Sequence, residues 1–144
     1  MQSAVAYRRK RKWYFHSESK TTDGVWVATH PFLSSEQESL DVGDRAKQAL
    51  AKSTEGVSHP IDWSGLFTPM LDLAGVKSWS SFSRGAELVG IEMEGNSIKL
   101  IPHRNLGPNE GFEPIVGDAI HLPSDASCED IGNAIIALAT RCLA

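Results

Sequence analysis

A chain of 144 residues with 41% hydrophobic and 22% charged side chains can bury a single-domain core and is too apolar for intrinsic disorder. Its 14 Lys and Arg face 18 Asp and Glu, and five of the cations form the run Arg8-Arg9-Lys10-Arg11-Lys12. Residues 13–144 therefore carry nine cations against 18 acids, a net charge of −9. No apolar run approaches the ~20 residues of a membrane-spanning helix, and Trp13 to Glu18 after the basic run do not make the apolar stretch of a secretory signal.

Residues 1–12 read as a basic N-terminal segment with scope for mobility, and 13–144 as one domain. Residues 13–17 and 25–29 are rich in aromatic and β-branched side chains and flank a polar stretch ending in Asp23-Gly24, which predicts a hairpin. Both faces of the second run are apolar, as expected for a strand covered at least partly on both sides, and His30-Pro31 is expected to end it. Val42, Ala46, Ala49 and Leu50 predict a helix over Leu40 to Ser53, although Gly43 weakens it. A short helix from about Leu66 to Ala74, with Gly75 as C-cap, follows a loop, and Trp79 and Phe82 begin another turn or short helix, or anchor a packed loop.

Glu87 to Pro102 gives the clearest local structure, because Gly95-Asn96 suits a two-residue primed turn. Pairing Glu94 with Ser97 sets Met93 opposite Ile98, Glu92 opposite the oppositely charged Lys99, and Ile91 opposite Leu100. Asn105 to Gly117 reads as a long loop and Asp118 to Leu122 as a short strand. Ser127-x-x-Asp130 then caps a final helix with the stripe Ile131, Ala134, Ile135, Leu138 and Cys142. Cys128 and Cys142 both fall on that helix, roughly 21 Å apart at its ~1.5 Å rise, so they do not pair, and unpaired cysteines point to the cytoplasm. The fold class is α+β: a single domain on a largely antiparallel β-sheet with packed helices and a C-terminal amphipathic helix.

Chemistry is harder to find. None of His16, His30, His59, His103 and His121 lies three or four residues from another or from a cysteine, as compact metal sites require, though His16, His103 and His121 lie on or beside predicted strands and have scope to meet. Glu92 and Glu94 share one strand face some 6 to 7 Å apart, a spacing two catalytic carboxylates can use, but Lys99 opposite Glu92 makes a solvated, partly paired face the simpler reading. No nucleophile elbow, Walker or dinucleotide pattern occurs, so no metal or cofactor is called for. The basic run followed by Trp13, Tyr14 and Phe15 suits phosphate contact in principle, but the acidic body opposes direct nucleic-acid binding. The run is better read as an edge-strand blocker or a local partner contact.

Taken together, Trp13-Tyr14-Phe15, Asp23-Gly24-Val25-Trp26-Val27-Ala28-Thr29, Gly90-Ile91-Glu92-Met93-Glu94 and Ile98-Lys99-Leu100-Ile101-Pro102 resemble a bacterial immunity protein of the contact-dependent growth inhibition type, CdiI. The resemblance extends from about Lys12 to the last helix and lies in strand-like segments and their order. It implies a cytoplasmic, non-enzymatic protein that binds and neutralises the C-terminal toxin domain of a cognate CdiA-type protein by blocking its active site or substrate-binding face. Many partners of such proteins are nucleases, including enzymes that cut transfer RNA. An acidic body independently suits a cationic nuclease. The resemblance supplies no motif residue, so the candidate toxin-binding set comes from charge and loop position: Glu87, Glu92, Glu94, Glu110, Glu113 and Asp118, with Phe112 as an exposed aromatic anchor. The alternatives are a small hydrolase or nuclease with a histidine-based site, which requires convergent histidines and carboxylates, and a nucleic-acid-binding domain that uses the basic run.

Overall fold

The computed structural model describes residues 1–142; Leu143 and Ala144, the end of the domain read as 13–144, lie outside the described residues. Strands β1 (Gln2–Arg9) and β2 (Lys12–Thr21) form a hairpin closed by Lys10 and Arg11, whose φ angles of 52° and 66° make a primed two-residue turn without glycine or asparagine. The segment 1–12 is thus built into the sheet. Strand β1 lies inside the sheet, between β2 and the strand over Glu87–Glu94. Arg8 donates two hydrogen bonds to the Glu87 carboxylate, at 2.8 and 2.7 Å, and its guanidinium lies 5.6 Å from the centre of the Trp13 ring. Arg9, itself buried, donates to the Phe82 carbonyl at 3.2 Å. Neither arginine blocks an edge.

Strand β3 (Trp26–Glu36) pairs with β2 and is an outer strand of the main sheet path, so it is less covered than its apolar pattern predicts: Val27 is buried but Val25 is exposed. It runs straight through the cis His30-Pro31 bond instead of ending there. A proline is tolerated because β2 is the only neighbour and the register already shifts at His16/Ser17. Helix α1 (Ser39–Ala51) follows, its first amides at Leu40 and Asp41 capped by the Glu38 carboxylate. A short strand β4 (Glu55–Val57) then pairs with β2 in parallel.

Helices α2 (Thr68–Ala74) and α3 (Trp79–Ser83) agree with expectation, and Gly75 caps α2 at φ 73°. Strands β5 (Glu87–Glu94) and β6 (Ser97–Asn105) pair in the register derived from the turn, from Glu94 with Ser97 to Leu88 with His103. The region expected as a loop over 105–117 contains strand β7 (Phe112–Pro114) and a 3₁₀ turn over Val116–Asp118; the next strand, β8 (Ile120–Pro123), starts two residues later than expected. Both β7 and β8 hydrogen-bond to β6. That outer pairing satisfies backbone groups the sequence offered no pattern to place. Helix α4 (Cys128–Ala139) starts where the capping signal put it, with the Ser127 hydroxyl accepting from the Asp130 amide at 3.0 Å.

The main sheet order is β3-β2-β1-β5-β6-β7. One face, bearing Trp13, Phe15, Val89, Ile91, Ile98 and Leu100, packs under α1 and α4. Fully burying a side chain such as Phe15 contributes roughly 2–3 kcal/mol. On the other face α2 and α3 cover only one end, setting Met70 and Phe82 over Val5, Tyr7, Tyr14 and Leu88. Trp13, Phe15, Tyr14 and His16 are all buried because the sheet is covered on both faces where they lie.

Candidate functional site: an acidic cleft on the open sheet face

Beyond α2 and α3 the second sheet face stays open, and strand alternation decides what lies on it. Ser3 pairs with Glu18 on one side and with Glu92 on the other, Glu92 pairs with Lys99, and Lys99 with His121. These five residues form one row across β2, β1, β5, β6 and β8. A second row, His16, Val5, Gly90 and Ile101, lies beside it. A third, Tyr14, Tyr7, Leu88, His103 and Pro114, adjoins the aromatic cluster.

The rows floor a cleft of about 450 Å³, reaching from Glu18 and Ser3 to Phe112, Pro114 and Val116. Gly90 sets its depth. A Cβ there would come within 3.0 Å of His103 Cε1, so the glycine admits the imidazole ring over the strand. His103 Nδ1 lies 3.0 Å from the Ile101 carbonyl, to which it donates, leaving Nε2 as an acceptor. Burial lowers the His103 pKa, against smaller upward effects of the Ile101 bond and Glu92, so the ring is neutral at physiological pH.

Glu18 is the most constrained charge. Its Oε1 accepts from the Ser3 hydroxyl at 2.7 Å, and the Ser3 amide donates to Ser53 Oγ at 2.9 Å. Burial raises the Glu18 pKa, the Ser3 bond lowers it, and Glu92 raises it. The two carboxylates sense one another. Although Lys99 stands opposite Glu92 as expected, no ion pair joins their side chains among the described residues.

The expected site residues do not form one patch. Glu92 and Glu94 share the open face, with Glu92 lining the cleft and Glu94 exposed beyond it. Glu87 alternates to the opposite face, where Arg8 holds it. Glu113 pairs in register with Arg104, also away from the cleft, and Glu110 is exposed in the β6–β7 connection. Asp118, in the 3₁₀ turn, is half-buried. Phe112 is not a free anchor: its ring meets Tyr7 and Trp79 edge-on, at 6.1 and 6.0 Å, and forms the wall between the aromatic cluster and the cleft. Sequence reasoning does not find Ser3 and Glu18, because they become neighbours of Glu92 only once β1 enters the sheet, and it names His103 without placing it over Gly90. The run Ala4-Val5-Ala6-Tyr7 was the available signal.

The three strand histidines lie in different rows. His16 is buried, with Nδ1 donating to the Ser17 carbonyl at 2.8 Å and Nε2 accepting from the Tyr7 hydroxyl at 3.3 Å. His121 is exposed on β8. Among the described residues no three His, Cys, Asp or Glu side chains are grouped to hold a metal ion. Cys128 and Cys142 are free thiols, and among the described residues no helix is long and apolar enough to cross a membrane.

The CdiI family, described as CDI immunity protein, matches residues 28–142. The chain belongs to this family. The match starts within β3, so Ser3, Tyr7 and Glu18 precede it. Solved structures resemble the fold over that part as well. NMB0488 from Neisseria meningitidis, a protein of unknown function, has a TM-score of 0.80 at 18% identity, over 98% of this chain and 94% of that one. The CdiA-CT/CdiI toxin and immunity complex from Yersinia pseudotuberculosis contains a chain with a TM-score of 0.80 at 16% identity, over 98% of this chain and 97% of that one. No curated protein sequence matches.

Proposed function

We propose that this CDI immunity protein acts in the cytoplasm, without enzymatic activity, by binding the C-terminal toxin domain of a cognate CdiA-type protein and occluding its active site or substrate-binding face. The family match over residues 28–142 carries the reading. The toxin is a cationic nuclease, with enzymes that cut transfer RNA the first class to test. Support for this finer assignment comes from charge: an open sheet face presenting Glu18, Glu92 and Glu94 complements a protein that must be cationic where it meets phosphates. Glu92 is the centre of the contact, and Glu94, Glu110, Glu113 and Asp118 are rim contacts. Glu87 and Phe112 act indirectly, by fixing β1 and the cleft wall. The histidine-based alternative has less support, since His16 and His103 each donate to a backbone carbonyl and neither is oriented by a carboxylate.

The reading expects the gene immediately upstream to encode the C-terminal end of a very large secreted protein, and the test is co-expression with that C-terminal domain. Co-purification, restored growth and protection of cellular nucleic acid are expected. A toxic, folded partner that neither co-purifies nor is neutralised overturns the proposal.

A further inference from the structure

We infer that the cleft on the open sheet face is a receptor for an arginine side chain of the partner, its guanidinium held between Glu18 and Glu92 and its edge bonded to His103. The identity of the partner rests on the toxin-binding reading; the chemistry of the cleft does not.

The hydrogen-bonding inventory of the cleft is lopsided. Glu18 and Glu92 flank Ser3 on the neighbouring strands, which puts their Cα atoms about 10 Å apart at the ordinary strand spacing. Ser3 spends its hydroxyl proton on Glu18 Oε1, and its amide on Ser53. His103 spends its Nδ1 proton on Ile101 and is left with an acceptor. The cleft thus offers two carboxylates and an imidazole acceptor, and the one cationic side chain in its lining, Lys99, is not paired with Glu92. An occupant must bring positive charge and several donors. A guanidinium has five N–H donors in a planar fork and is more weakly hydrated than an ammonium, so it satisfies both carboxylates and the imidazole at a lower desolvation cost. The apolar walls, Val5, Ile101, Phe112 and Val116, suit the arginine methylenes.

The empty cleft also leaves a cost for the occupant to relieve. Burial and Glu92 both push the Glu18 carboxyl toward its neutral form. A cation between the two acids offsets the repulsion and favours the charged form of Glu18.

Two arms test this with the full chain. In the first, N-ethylguanidinium chloride is titrated into the protein and followed by amide shifts at Ser3 and Gly90 and by the His103 imidazole, with ethylammonium chloride and sodium chloride as references. Saturable shifts for the guanidinium, absent in an E18Q/E92Q variant, are expected; shifts equal to those of sodium chloride, or unchanged in the variant, overturn the receptor. Shifts as large with ethylammonium overturn the guanidinium preference. In the second, the neighbouring toxin domain is titrated against wild type, E18Q, E92Q and the control E129Q on α4. Loss of about 30-fold or more is expected for E18Q and for E92Q and no change for E129Q, with one toxin arginine whose Arg→Met change costs affinity against wild type and nothing against E18Q/E92Q. Wild-type binding with E18Q and E92Q equally tight overturns the arginine site alone. No wild-type binding overturns the toxin reading, and the first arm still decides the cleft.

Discussion

His16 sits among Tyr7, Phe32 and Phe67, with ring centroids 5.6, 5.8 and 5.8 Å away, and has no carboxylate partner. Burial lowers its pKa from 6.5 to about 4, against a smaller upward effect of the Ser17 bond. The unfolded chain takes up a proton as pH drops through 6.5 and the folded chain only near 4, so the stability gained from neutral His16 is complete above 6.5, falls between 6.5 and 4, and levels off below. The loss over that window is about 3 kcal/mol. Glu18 works the other way, because its raised pKa favours the folded chain as pH falls through that value toward 4.5. Urea unfolding of wild type and H16Q at a series of pH values separates the two. The glutamine of H16Q retains an acceptor for the Tyr7 hydroxyl, and the stability of this variant should lack most of the decline between pH 6.5 and 4; an equal decline in both proteins refutes the assignment.

Helices α1 and α4 cross backbone to backbone. A Cβ added to Gly43 would fall on the Cys128 carbonyl oxygen, and one added to Gly132 on the Ser39 carbonyl oxygen. Main chain cannot yield as a flexible side chain does, so G43A and G132A must push the helices apart over Val42, Ala46, Ile131 and Ile135. Each substitution should cost about 2–3 kcal/mol and lower Tm by roughly 5–10 °C, whereas G117A, where nothing lies nearby, should leave the calorimetric melt unchanged. Sequence alone presented Gly43 as a weakness of the helix, because propensity is local and the carbonyl it accommodates is 85 residues away. The same division runs through the rest of the fold. The β5–β6 register and the start of α4 were legible, since Gly95-Asn96 and Ser127 act on neighbours in sequence. β1, β7 and β8 were obscured or displaced because their turns and pairings lack such marks: Lys10 and Arg11 take left-handed conformations usually left to glycine, and β7 is three residues held by β6 alone. Half of the cleft went with them. Glu92 was found through its hairpin, but Glu18 and Ser3 meet it only across β1.

At the scale of the whole molecule, the hairpin turns the basic run into one pole of a charge separation. Arg8 is neutralised by Glu87 and Arg9 is buried against Phe82, which leaves Lys10, Arg11 and the half-buried Lys12 at the tip, the first two of them exposed. The row bearing Glu18 and Glu92 lies seven residues back along β1, about 23 Å away at the rise of a strand. That distance exceeds the Debye length of ~8 Å at physiological ionic strength but not the ~30 Å at 0.01 M. A toxin of the cationic kind proposed above is therefore attracted to the acidic end by Glu92 and Glu94 under all ordinary conditions, and repelled by the tip only in dilute salt. Stopped-flow association with the toxin domain reads this directly. E94Q should slow association about twofold to fivefold at low salt, while K10Q/R11Q should speed it by about half that factor, the second effect vanishing first as salt is raised. Dissociation should hardly change in either variant, because both positions are exposed and lie outside the cleft. If the basic tip were itself the binding contact, as a nucleic-acid-binding reading requires, K10Q/R11Q would slow association instead, and the opposite signs of the two outcomes leave no intermediate result.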